Sequence, residues 1–185
     1  MGVFALGTYW LVRSTPLLIP PEPVVAARHD PDYFMRNFSV KTYGETGRLK
    51  SEVTGSNARH FPDSDTLEID GVRIRSFDEE NRLTTVSARR ALTNSDNSEV
   101  QLFGDALVIR LPGQDAKGNN LPGMEFRGEF LHAFMDTEQI KSHLPVVLIR
   151  GLDRFNADTL DFDNRTGVLL LNGRVKGVLV PTKSP

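Results

Sequence analysis

"EVQLFGDALVIRLP", residues 99–112, decides the fold of this chain. Its residues alternate with the period of two that a β-strand imposes. A single glycine interrupts the middle, and glycine inside a strand marks a bend, a bulge or a close approach. The stretch therefore predicts one long strand, bent at Gly104. Both faces are apolar: Phe103, Leu107 and Ile109 accompany Gln101 and Asp105 on one, while Val100, Leu102, Ala106 and Val108 share the other with Gly104. A sheet with one wet side alternates apolar and polar more cleanly. Two explanations stand side by side. The strand is central in a sandwich, packed inside and partly covered outside, or one face lines a groove for acyl chains, where each buried methylene is worth about 0.8 kcal/mol.

The same grammar recurs on either side. "DTLEIDGVRIRSF" (65–77) alternates, breaks at Asp70-Gly71 and alternates again, and "PVVLIRG" (145–151) sets Val147 and Ile149 against Val146 and Leu148. Turn signals such as "GETG", "NSDNS" and "NRTG" separate "FSVKTY", "RLKSEVTGSNARHF", "RLTTVSARRALT", "MEFRGEFLHAFMD" and "ADTLDFD". No segment sustains a helical period, so the fold class is all-β. A faint repeat links "SNARHFPDSDTLEIDGVRIR" to "SARRALTNSDNSEVQLFGDALVIR", with looser echoes from Arg127 and from Asn156. Each unit reads as a hairpin whose second strand bends at a glycine, placing Gly71, Gly104, Gly151 and Gly173 at equivalent points. Hairpins bent alike would build a long curved trough rather than a closed barrel.

The N-terminal part reads differently. "GVFALGTYWLV" (2–12) is apolar and uncharged, with Tyr9 and Trp10 as interfacial anchors. A helix over it spans about 18 Å, short of the roughly 30 Å hydrocarbon core. Residues 1–20 are therefore expected to be a membrane anchor that starts further upstream, with an ordinary core helix as the plain alternative. Residues 21–31 form a proline-rich linker, and 32–185 the folded domain. The formal net charge of −2 argues against a nucleic-acid binder, and the absence of cysteine excludes disulfides and thiolate chemistry.

Motifs for catalysis are missing. His29, His60, His132 and His143 lack zinc-ligand spacing. "DFDNRTG" (161–167) has Arg165 and Gly167 where a calcium loop needs other residues, so it reads as a hairpin turn. No nucleophile elbow or phosphate-cradling loop is present. The expectation is a protein without enzymatic activity, cofactor or metal.

The last stretch, "GVLLLNGRVKGVLVP" (167–181), is a terminal strand with little sequence left to cover its edge. Leu169, Leu171, Gly173 and Val175 fall on one face; Val168, Leu170, Asn172, Arg174, Lys176 and Val178 fall on the other. An open edge is an aggregation hazard unless charges blunt it or a partner strand extends it. Arg174 and Lys176 supply the first explanation, β-augmentation the second.

The repeat, the "Y-x-x-x-G-x-L" opening (Tyr43, Gly47, Leu49) and the "LPVVLIRG" strand ending at Gly151 resemble the LptC family of lipopolysaccharide export proteins over roughly residues 32–180. The resemblance implies a twisted, open β-jelly roll behind a single inner-membrane span, with the bulk of the chain in the periplasm. It implies lipopolysaccharide as cargo, the LptBFG ABC transporter at the N-terminal edge and periplasmic LptA at the C-terminal edge. It ties Gly151 to assembly, along with Asn172, Gly173, Arg174, Val175, Lys176 and Val178 on the terminal strand. Phe103, Leu107, Ile109, Val147, Ile149, Leu169, Leu171 and Val175 are the expected apolar lining, although alternation leaves open which face points inward. The alternative function is a β-edge interaction scaffold with a filled core and no lipid site.

Overall fold

The structure is a computed structural model that describes residues 29–78, 80–114 and 118–181. The expected anchor and most of the linker lie outside these residues. Within them the chain is antiparallel β throughout. The strands are β1 (Tyr33–Tyr43), β2 (Leu49–Phe61), β3 (Thr66–Asp70), β4 (Arg73–Phe77), β5 (Leu83–Ser87), β6 (Arg90–Asn94) and β7 (Glu99–Arg110). A small ribbon, β8 (Gly113–Gln114) with β9 (Asn120–Leu121), precedes β10 (Met124–Phe134), β11 (Gln139–Ser142) and β12 (Val146–Arg150). The chain ends with β13 (Asp153–Ala157), β14 (Thr159–Asp163), β15 (Val168–Asn172) and β16 (Lys176–Val178).

Pairing shows a simple order. β3 with β4, β5 with β6, β11 with β12, β13 with β14 and β15 with β16 are two halves of single strands, each broken in the middle. The front half of β2 pairs β4 and its rear half pairs β3; β7 divides likewise between β5 and β6, and β10 between β12 and β11. The molecule is thus a meander in which each long strand lies beside its neighbours in sequence and nearly all of them are creased halfway.

The crease follows from local sequence. Asn37 (φ 45°) in β1, Gly71 (φ 61°), Gly104 (φ 73°) with Asp105 (φ 49°), and Gly173 (φ 86°) adopt the left-handed backbone there, which glycine and asparagine enter most readily. In β10 a bulge between Gly128 and Phe130 does the same work. In β2 the crease needs Gly55 for another reason: a Cβ would stand 2.6 Å from Ile69 Cγ2 and 2.8 Å from the Phe38 ring.

The expected equivalence of four glycines holds for three. Gly151 sits at the tip of the β12–β13 hairpin (φ 60°), its N–H donating to Gly123 O at 2.9 Å. In that unit the crease is the segment from His143 to Pro145, between β11 and β12. The reason is that a left-handed glycine serves a hairpin tip as well as a crease.

The crease folds the meander onto itself. Residues of one sheet face on both sides of it, among them Leu102, Val108, Phe126, Leu131, Leu148, Leu160 and Phe162, join in a single buried cluster. Phe126 on one arm meets Phe162 on the other at 5.4 Å. The result is a V of two arms with its core between them.

Candidate functional site

Cross-strand register builds the inner surface row by row. On the second arm, Val40, Val53, Ile74, Val86, Val108, Phe126, Leu148 and Phe155 stand opposite one another in sequence from the first strand to β13, and Gly177 of β16 ends the row. On the first arm Met35, Ala58, Ile69, Ala91, Leu102 and Leu131 form the matching row. It resumes with Ser142, Leu160 and Leu171. Ser142 is buried yet satisfied: its Oγ lies 2.8 Å from both Phe130 O and Leu144 O, so its one proton can serve either, and it accepts from the Leu144 N–H at 3.2 Å. The trough is therefore apolar from one edge strand to the other, and its two walls pack together.

The expected lining residues divide. Leu169 and Leu171 face the interior and pack against the core. Phe103, Leu107, Ile109, Val147 and Ile149 lie on the opposite face, half-buried, because β7 and β12 turn Leu102, Ala106, Val108, Val146 and Leu148 inward. Outer coverage explains why these strands are apolar on both sides. Phe103 packs on Phe130 (5.3 Å), the Arg90 guanidinium lies 4.9 Å above the Phe103 ring, and His143 covers Phe130 at 4.3 Å. Leu107 and Val147 line a shallow pocket of about 880 Å³ beside the crease, together with Arg127, Asn156, Arg174 and Lys176. Val175 lies at the crease of the last strand, half-exposed.

Among the residues expected to meet a partner, Arg174 is engaged rather than free. Its Nη2 donates to Asp158 Oδ1 (3.0 Å), its Nε reaches the same carboxylate, and its backbone N–H donates to Asp158 Oδ2 at 3.1 Å. These bonds hold the Asp158 carboxyl below its ordinary range. They also bind the two halves of the terminal strand, β15 and β16, to the turn before β14. Gly173 must lie under that carboxylate, since a Cβ there would overlap it. Asn172 accepts from the Asp158 N–H at 3.0 Å, while Lys176 and Val178 belong to β16.

Both ends of the meander are open among the described residues. β15 pairs only β14 and β16 only β13; there Leu170 is 56% and Val178 62% exposed. At the other end β1 pairs only β2, with Phe34 67% exposed. A polar clamp secures the start of β1. His60 stacks on Tyr33 (4.7 Å), while its ring nitrogens meet Asp32 (2.7 Å) and Asp65 (3.4 Å). The Asp32 bond, with Asp65 assisting, raises the His60 pKa. Beside it, His29 stacks on Phe61 (4.2 Å) and bonds Asp63 at 2.9 Å.

Sequence reasoning passed over Arg110. It lies on the inner face at the tip of β7 and crosses the mouth of the V to Asn164 in the β14–β15 turn, Nη1 to Oδ1 at 2.6 Å. The signal was present: an arginine stands in phase with Leu102, Ala106 and Val108.

Comparison with known proteins agrees with this architecture. The family model described as "Lipopolysaccharide-assembly, LptC-related" matches residues 2–180. Among solved structures, the crystal structure of LptH from Pseudomonas aeruginosa, the LptA-homologous periplasmic component of that organism's lipopolysaccharide transport device, superposes with a TM-score of 0.58 at 12% identity. The match covers 71% of this chain and 95% of LptH, and at that identity it establishes the shared fold alone. Comparison with curated protein sequences found no match. With an LptC-related match over residues 2–180 and a creased antiparallel meander of the LptH type, the chain belongs to the LptC-related lipopolysaccharide-assembly family.

Proposed function

We propose that this protein is a non-catalytic lipid carrier that takes lipopolysaccharide from the inner-membrane ABC transporter LptBFG and passes it to periplasmic LptA. The observation that carries the reading is the pair of apolar inner rows running from β1 to the last strand, with the outer edges of β1 and of β15–β16 open among the described residues. A lipid leaves a bilayer only where equivalent apolar surface replaces it, at about 0.8 kcal/mol per methylene. Neighbouring domains that add strands at the two edges would lengthen those walls into a path. In this arrangement β1 meets the transporter, β15 and β16 meet LptA through Asn172, Gly173, Arg174, Val175, Lys176 and Val178, and the apolar run 2–12 tethers the domain to the inner membrane. Gly151 contributes by holding the β12–β13 tip in shape.

A photoreactive amino acid tests the path. Placed at Leu171, on the inner face, it should crosslink to lipopolysaccharide in cells; placed at Phe103, on the outer face, it should not. Crosslinking at 103 alone would move the path to the outer face.

The packing of the two walls favours a second reading, in which the core is simply a core and the domain is a β-edge scaffold. Under it, neither position captures lipid while the edge contacts persist.

A further inference from the structure

At the mouth of the V, Arg110 continues the inner series of β7 outward from Val108, and in register it stands between Thr84 and Met124. Its hydrogen bonds go to neutral acceptors, Asn164 Oδ1 at 2.6 Å and Thr84 Oγ1 at 3.5 Å. The carboxylates whose fields reach it are engaged elsewhere: Asp78 binds Arg82 at 2.7 Å, and Glu138 accepts from the Asn164 amide and pairs with Arg165 at 3.9 Å. Among the described residues, this half-buried guanidinium is held by an amide and has given up water without gaining a counter-charge. Burial accordingly lowers its pKa from the ordinary arginine value, though arginine stays protonated in proteins. Directly below it lie Val108, Phe126 and Leu148, and Arg150 follows on the same row beyond Met124. A cation above an apolar trough matches an amphiphile with an anionic head and acyl tails.

We propose that Arg110 is the headgroup-binding residue of the trough, where a phosphate of the lipid displaces Asn164 from the guanidinium and so releases the clasp between the two arms. The inference rests on the carrier reading and adds the group that the cargo must present. Because the walls are packed against each other, tails enter only when the arms part. Parting them breaks the Arg110–Asn164 bond as well as wall packing, and that bond is the one the phosphate replaces. A phosphate oxygen is the better acceptor, since charge-assisted, forked pairs are roughly twice as strong as neutral ones.

The test is equilibrium binding of purified lipopolysaccharide, untreated and phosphatase-treated, to wild type, Arg110→Gln and Asn164→Ala, with folding checked by circular dichroism. Wild type should prefer the phosphorylated lipid by about tenfold or more, and Arg110→Gln should abolish that preference while still binding the treated lipid. Asn164→Ala removes the competitor and should tighten binding by roughly two- to tenfold. Arg110→Lys, which keeps charge without the fork, should fall between wild type and Gln. Equal binding of both lipids by wild type, or loss of affinity in Asn164→Ala as in Arg110→Gln, overturns the assignment and leaves the carrier reading standing. Failure of wild type to bind either lipid overturns both.

Discussion

The Asp158 carboxylate covers Gly173 so closely that no side chain fits beneath it, and it grips Arg174 by side chain and backbone at once. Two units earlier the guanidinium end of the exposed Arg89 side chain lies over Gly104, and Ser56 lies over Gly71 at 3.4 Å. Three of the four repeat units share this motif: a side chain at one crease above a left-handed glycine at the next.

Alanine at Gly173 should therefore cost more than alanine at Gly167. Both have positive φ (86° and 68°), worth about 1–2 kcal/mol to an L-residue, but only Gly173 has a neighbour in the way. Overlap adds about 1–3 kcal/mol. Urea midpoints of the two variants measure the difference, and equal midpoints would refute the role of Asp158.

Leu102→Ala should destabilise by about 2–5 kcal/mol, the range for a fully buried leucine, since its side chain is 1% exposed between the arms. Leu107→Ala, on the half-buried outer face, should cost about 1 kcal/mol. Similar losses at both sites would mean that the outer face carries as much of the core as the inner.

The clamp at the start of β1 depends on pH. Because Asp32 and Asp65 raise the folded-state pKa of His60 above 6.5, its stabilising contribution is complete below the unfolded value. It is lost as pH climbs through the folded one. Protection factors at Tyr33 and Phe34, the observed amide exchange corrected for its intrinsic rate at each pH, should fall over that rise, and His60→Asn should remove the fall. Protection factors that do not change with pH in wild type would remove the histidine from the clamp.

Charges on the last strand should block strand addition without unfolding the domain. Val168 and Leu170 are exposed on its outer face, so the double variant Val168→Lys, Leu170→Lys should keep the wild-type unfolding midpoint within about 0.5 kcal/mol. Its pull-down of purified LptA should fall sharply; undiminished capture would place the LptA contact elsewhere.

At the β12–β13 tip, Gly151→Arg should lose about 1–2 kcal/mol because φ is 60°, and Gly151→Asn should lose less, asparagine being tolerant of that region. Space is sufficient, since a Cβ at this position would stand 3.6 Å from Pro122 Cβ. Export that survives Gly151→Arg unchanged would separate this glycine from assembly.

Much of this architecture was legible in sequence. Period-two alternation marks the long strands, and Gly71, Gly104 and Gly173 mark their bends. The direction of each face was not legible, because Leu102 and Phe103 are equally apolar and alternation is symmetrical. What decides it is three-dimensional: Phe130 and Arg90 cover Phe103 on the outside, and His143 in turn covers Phe130. The short strand β11 was also missed, its "QIKS" being too polar and brief to register as β without its neighbours β10 and β14.

The ladder of neighbours has a kinetic corollary. Since each strand bonds to the segments just before and after it in the chain, assembly demands few distant encounters, and the domain should form quickly for an all-β protein. Loosening should begin at the rims, β1 and the β15–β16 strand, and reach β7 and β10 last. The two rims, where the proposed function places the neighbouring molecules, are thus the parts most free to rearrange.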